Sequence, residues 1–325
     1  MRKLILLLLC ITIVLPTVFS GCNSVFASFD GDIYSYLLLG IDDAGNNTDV
    51  LGIASYNASD NAISVFQIPR DTFYNADTYQ NKINQLYPKL LSEGKSTEEA
   101  LSEITSSIAK DLDVRLRGYI SIDSSSFINM IDALGGVTIT IPADFAYFED
   151  FRKIGIELEV GENLLSGKDA FKFVRHREGY LKGDLARIEV QKLFFAGIFD
   201  TVKDYTTNVS AYGFIAIARE NLRCDFSLLD IVLMVLKHSS KFKMVSFMYL
   251  TFPGKAYQNS SGLWLYQLNK YKTEEILSRY LSYNGAFNNS GVFLDKSKTA
   301  EKIYYSRDIS YDIYVGENNS QSSEE

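Results

Sequence analysis

The segment RHREGYLKGDLARIEVQ, running from Arg175 to Gln191, sets three arginines and a glutamine at short fixed offsets. Guanidinium groups stay charged at any working pH and present planar forks of donors that match phosphate oxygens, so the grouping reads as an anion clamp. From Lys172 to Lys192 six basic residues stand against three acidic ones, in a chain whose net charge is −8. An extended run after Phe173 would put Arg175 and Arg177 on one face, with His176 turned away. Arg187 and Gln191, four apart, share a face of the helix that Gly183 and Asp184 open. The competing reading is a solvated basic surface, which is what most charge runs are.

Other polar groups sit where predicted elements end. Tyr36 to Leu39, followed by Gly40, reads as a buried strand running into an acidic loop with Asp42, Asp43 and Asp49. Residues 50–57 and 62–68 read as two more strands, joined by a turn over Asn57 to Asn61. The second stops at Pro69, and Arg70-Asp71 lies just beyond it, beside the acidic loop, where a site is readily built. Ser96 and Glu99 form a capping box for a helix reaching about Asp111. A strand over 118–123, a helix over 124–134 stopped by Gly135-Gly136, and a strand over 137–141 follow. Residues 181–200 read as a long helix. Its Leu193, Phe194, Phe195, Ile198 and Phe199 are apolar over more than one stripe, which fits core packing and equally a lipid groove beside the sheet. Helices over 212–221, 228–238 and 273–283 and a strand over 243–250 complete the pattern. The alternation predicts an α/β sandwich with a mixed sheet.

With 325 residues, 46% hydrophobic and 13% aromatic, the chain can bury a substantial core. Its acidity argues against nucleic acid as a partner, because phosphate-backbone binding needs a broad basic face. Met1, Arg2 and Lys3 precede an apolar stretch from Leu4 to Phe19, too short for a well-defined membrane span. Val18-Phe19-Ser20-Gly21-Cys22 then resembles a bacterial lipobox, with Cys22 the lipid anchor; an uncleaved signal anchor is the alternative. Either predicts an exported, membrane-tethered domain. With Cys10 in the leader and Cys22 at the anchor, Cys224 stands alone, so the processed protein has no intramolecular disulfide. Two histidines, His176 and His238, exclude a His-rich zinc site. The expected layout is a leader over 1–22, a linker over 23–35, one domain over 36–283 and a polar, disordered tail over 284–325. Gly161 to Lys168 mimics a phosphate loop but has five intervening residues instead of four, and Asp169 where a hydroxyl residue is required.

Taken in order, LLLGID, TDV, IPRDT, DALGGV, LLSGKDAFKFVRHR and GDLARIEVQ resemble the LytR-CpsA-Psr family, whose domain is also called the cell-envelope-related transcriptional attenuator domain. The resemblance runs from about Tyr36 to Lys192 and continues more weakly through Pro253-Gly254. It implies a three-layer α/β/α sandwich with a central mixed sheet, holding a polyprenyl pyrophosphate with its tail between sheet and helices. By the same resemblance, Asp42 and Asp49 are carboxylates for magnesium, or manganese in its place, and Arg70, Arg175, Arg177, Arg187 and Gln191 bind pyrophosphate. The implied enzyme is a phosphotransferase that moves a glycopolymer, such as teichoic acid or capsular polysaccharide, from its lipid pyrophosphate carrier to peptidoglycan. It would work on the outer face of the cytoplasmic membrane in a Gram-positive type of envelope. The proposed general base is Asp184, with Asp71 second and Arg70 completing the catalytic set; a helix cap is the other role open to Asp184. Ala186, Val190 and Lys192 depart from the family's usual glycine, arginine and glutamine. Two further functions fit the same residues: a pyrophosphatase that uses water, and a non-catalytic lipoprotein that binds polyprenyl phosphates.

Overall fold

A computed structural model describes residues 33–42, 47–75, 81–176, 184–226 and 245–285. The leader with Cys22, Arg177, the helix expected over 228–238 and the tail from residue 286 lie outside these residues. In chain order the elements are β1 (Ile33–Ile41), β2 (Thr48–Asn57), β3 (Ala62–Gln67), α1 (Leu86–Ser92), α2 (Thr97–Leu112), β4 (Tyr119–Asp123), α3 (Ser124–Ala133), β5 (Val137–Ile141), α4 (Phe148–Lys153) and β6 (Gly161–Leu165). There follow α5 (Gly167–Arg175), α6 (Asp184–Asp204), α7 (Ala211–Asn221), β7 (Arg223–Cys224), β8 (Ser246–Thr251), β9 (Gly254–Gln258), β10 (Trp264–Leu268) and α8 (Lys270–Tyr280). None of the described helices is long and apolar enough to cross a membrane.

The central sheet has the order β7-β4-β1-β2-β3-β8. β1, β2 and β3 form an antiparallel meander, while β4 runs parallel to β1 and β8 parallel to β3. Strand alternation divides the side chains between two faces. On one face Leu37, Leu39, Ile53 and Tyr119 pack with Leu101, Ile104 and Ile108 of α2 and Ile276 and Leu277 of α8. On the other, Leu38, Val65 and Tyr249 meet Phe195 and Phe199 of α6. This is the expected α/β/α layering around a mixed sheet.

Several elements differ from the sequence reading. β5 leaves the central sheet and pairs antiparallel with β6, and the two form a second core with α3, α5 and α6. Val137, Ile139 and Ile141 face that core while Thr138 and Thr140 face solvent, a period that fits a half-buried ladder as well as a central strand. Gly197 lets α6 lie against this ladder, since a Cβ there would sit 2.4 Å from the Thr138 carbonyl oxygen. β1 starts at Ile33, with Tyr34 and Ser35 buried, so folded structure begins ahead of residue 36. The hairpin of β9 and β10 was not legible in the sequence.

The topology gathers the site. β1, β3, β4 and β8 all point the same way, so Asp42, Arg70, Asp123 and Thr251 emerge together at one edge of the sheet, where α/β folds place ligands.

Candidate functional site

Asp49 reaches this edge through a break in the sheet. β1 and β2 stay in register to Gly40↔Val50, then slip so that Ile41 faces Thr48, leaving Asp49 as the extra residue of a bulge. A bulge bends its strand and re-aims a side chain, which is why bulges recur beside functional sites. Both Asp49 oxygens are engaged by cations. Arg70 Nη1 approaches Oδ1 at 2.8 Å and Arg175 Nη2 approaches Oδ2 at 3.5 Å. The Asp49 and Arg70 side chains are each only 19% exposed, so this pair is screened less than a surface ion pair.

Arg70 is presented by a tight turn after Pro69, in which the Thr72 backbone N–H and hydroxyl both donate to the Pro69 carbonyl. Its Nε lies 4.0 Å from Asp71 Oδ2 and has no hydrogen-bond partner among the described residues although it is buried. A buried guanidinium N–H left over in this way fits an incoming anion. Asp71 is held at 2.9 Å by Lys82 Nζ, a third cation of the cluster. The Asp42 carboxylate accepts from the Asn47 backbone N–H at 3.3 Å, and Asn47 Oδ1 accepts from Gln85 Nε2 at 2.8 Å, which fastens the acidic loop to the turn before α1.

Arg175 is the last residue of α5, not part of an extended run. Ser166 caps that helix by accepting from the Asp169 N–H, and Ala170 and Phe173 bury its inner face. The helical turn then stacks the Arg175 guanidinium 5.1 Å from the Phe171 ring centroid, four residues back, while His176 leaves in an extended conformation. Its charge also sits at the favourable end of the helix dipole.

Behind the charged mouth lies an apolar cavity of about 230 Å³. Leu38, Ile120 and Ile122 of the sheet form one wall, Phe127 and Met130 of α3 another, and Phe194, Phe195 and Ile198 of α6 a third; Asp42, Asp49, Arg175 and Gln191 border it. The stripe on α6 is therefore groove lining as well as core. Of the predicted site residues, Asp42, Asp49, Arg70, Asp71, Arg175 and Gln191 converge here. Arg187 lies one turn before Gln191 on α6 and Asp184 is its first residue, though their side chains lie outside the description. Val190, at a position where the resemblance makes an arginine usual, is fully buried in the second core.

Sequence reasoning missed Lys82, Gln67 and Asp123. Gln67 carried a signal, a polar residue in the apolar run Val65-Phe66-Gln67-Ile68. Asp123 closes β4 and caps α3, accepting from the Ser126 N–H at 2.8 Å and from Ser125 Oγ at 2.7 Å. Burial pushes the Asp123 carboxyl up, but these hydrogen bonds outweigh it and hold the group below the usual carboxylate range. Because the folded value is depressed, the stabilisation is present above the unfolded pKa and lost as pH falls through the folded one. Asp123→Ala should therefore lower stability by about 1 kcal/mol at neutral pH. In urea titrations the gap from wild type should shrink in strong acid; an equal gap at both pH values would remove the charged cap as its cause.

The sequence profile of the LytR_cpsA_psr family matches residues 23–280. The chain belongs to this family. Among family members, the Oceanobacillus iheyensis polyisoprenyl-teichoic acid–peptidoglycan teichoic acid transferase TagU is 24% identical over 239 residues, covering 72% of this chain and 71% of that protein. Crystalline Bacillus subtilis TagT shares the fold with a TM-score of 0.58 at 21% identity, over 76% of this chain and 89% of that one. TagT with bound octaprenyl pyrophosphate lipid gives 0.57 at 20% identity, over 76% and 88%. At such identities the structures establish the LytR_cpsA_psr fold.

Proposed function

We propose that this protein is a phosphotransferase that moves a glycopolymer from a polyprenyl pyrophosphate carrier to peptidoglycan. The observation that carries the reading is the junction of Arg70 and Arg175, gathered on Asp49, with an apolar cavity that opens directly behind them. Such a site matches an amphiphile with an anionic head and a hydrocarbon tail. Membership of the family and the names of its transferases support the same choice.

Asp42 and Asp49 would hold a magnesium ion, since hard carboxylate oxygens combined with substrate phosphates are the donors this ion prefers. When bound, it would add to the neutralisation of the pyrophosphate. The chain's own residues do the rest. Arg70 and Arg175 orient the pyrophosphate and stabilise charge as it builds, and the cavity excludes water from the tail. An acceptor hydroxyl of peptidoglycan attacks the sugar-side phosphorus, the bond to the polyprenyl phosphate breaks, and a phosphodiester to the wall remains. We assign the hydroxyl proton to Asp184, because Asp71 is committed to Lys82. The N-terminal segment, through Cys22 or as a signal anchor, would tether the domain to the outer face of the membrane.

The test supplies the full chain in detergent with magnesium, a short-chain lipid-pyrophosphate oligosaccharide and a peptidoglycan acceptor. Joined product should form and should vanish on chelation. Lipid phosphate released without joined product would make the protein a pyrophosphatase, and bound lipid with no turnover would make it a carrier.

A further inference from the structure

A buried polar chain crosses from the sheet to α6 beneath the mouth. Gln67, only 5% exposed, ends β3. Its Oε1 accepts from Tyr249 Oη at 2.8 Å and from Thr251 Oγ1 at 3.2 Å, both on β8. A carbonyl oxygen has two lone pairs, and these two hydroxyls take both. The Nε2 end then points away from β8 and donates to Gln191 Oε1 at 2.5 Å. Gln191, 4% exposed, borders the cavity beside Asp42, Asp49 and Arg175.

A glutamine amide is a donor at one end and an acceptor at the other, and a half-turn exchanges them. Only the NH2 end attracts an anion; the carbonyl end would repel it. With Oε1 tied to Gln67, the Nε2 hydrogens of Gln191 are left for the cavity. We propose that Gln67 is a positioning residue, which uses the hydroxyls of Tyr249 and Thr251 to fix the Gln191 amide with its donors toward the pyrophosphate. The inference rests on the reading of the mouth as a pyrophosphate site. Specificity then begins on β8, two hydrogen bonds away from Gln191 and three from the ligand.

The experiment measures binding of geranylgeranyl pyrophosphate and of geranylgeraniol, which share a tail, to the full chain with magnesium present. Gln67→Met should weaken pyrophosphate binding roughly tenfold, the scale of one hydrogen bond to a charged group, and change alcohol binding by less than about twofold. In a Gln191→Met background the same change should add almost nothing, because the residue it orients is gone. Gln67→Glu supplies a second arm, since it keeps an acceptor for both hydroxyls. As a carboxylate it sets oxygen against oxygen at Gln191, whereas the protonated acid can donate as the amide did. Its pyrophosphate binding should therefore recover relative to wild type as pH falls. Equal losses for both probes, full additivity with Gln191→Met, or a pH-independent defect in Gln67→Glu would each overturn the proposal. If wild type binds the two probes equally, the pyrophosphate reading itself fails and this inference with it.

Discussion

Asp49→Asn should lower the rate of polymer transfer by roughly two to three orders of magnitude while leaving the fold intact, the scale seen when a preorganised electrostatic group is removed. The amide has almost the same shape as the carboxylate but no charge, so Arg70 at 2.8 Å and Arg175 at 3.5 Å lose the group that holds them together. A proposed metal carboxylate is lost in the same step. Arg175→Ala should reach a similar loss, and Arg175→Lys should not restore activity, because an ammonium cannot both stack on Phe171 and fork toward Asp49. The double variant Asp49→Asn with Arg175→Ala should be only a few-fold slower than either single, since groups that act as one unit are strongly non-additive. Single-turnover formation of joined product, with circular dichroism as the control for folding, measures all four variants. Multiplicative losses in the double variant would show that the two residues act separately and that Asp49 is not the hub.

How much of this was legible depended on whether the deciding interactions were local. The Ser96 and Glu99 capping box forms as read, with both reciprocal hydrogen bonds, because all its partners lie within one turn. Gly135 and Gly136 both take positive φ after α3, the conformation that stops a helix and that glycine adopts freely. Asp42, Asp49 and Arg70 were placed near one another because each follows or begins a strand of one meander. Arg175 was misread as extended: Arg-His-Arg has no strong local preference, and the Ser166 cap that sets the helix lies nine residues upstream. Lys82 and Gln67 owe their roles to contacts between distant elements. The Gln67 to Gln191 bond spans 124 positions, and no short-range pattern encodes it.

Ile120→Trp should sort substrates by tail length. Ile122 adjoins Asp123 at the end of β4, and Ile120 lies two residues further back on the same face, roughly 7 Å deeper along the strand. An indole at Ile120 would fill the inner part of a cavity of about 230 Å³ while leaving the charged mouth and its nearest apolar wall in place. Excluding one five-carbon isoprene unit forfeits about 4 kcal/mol, counting each carbon as a methylene at roughly 0.8 kcal/mol, or on the order of a thousandfold in affinity. Long polyprenyl substrates should therefore lose transfer by that factor or more, and a pyrophosphate with a ten-carbon tail should be nearly unaffected. Ile122→Trp, at the mouth, should impair both. Thermal stability of the two variants should stay near wild type, because a residue that enters existing space displaces no packed neighbour. A chain-length profile that stays flat in Ile120→Trp would mean that the tail does not run between β4 and α6, and the cavity would lose its place in the mechanism.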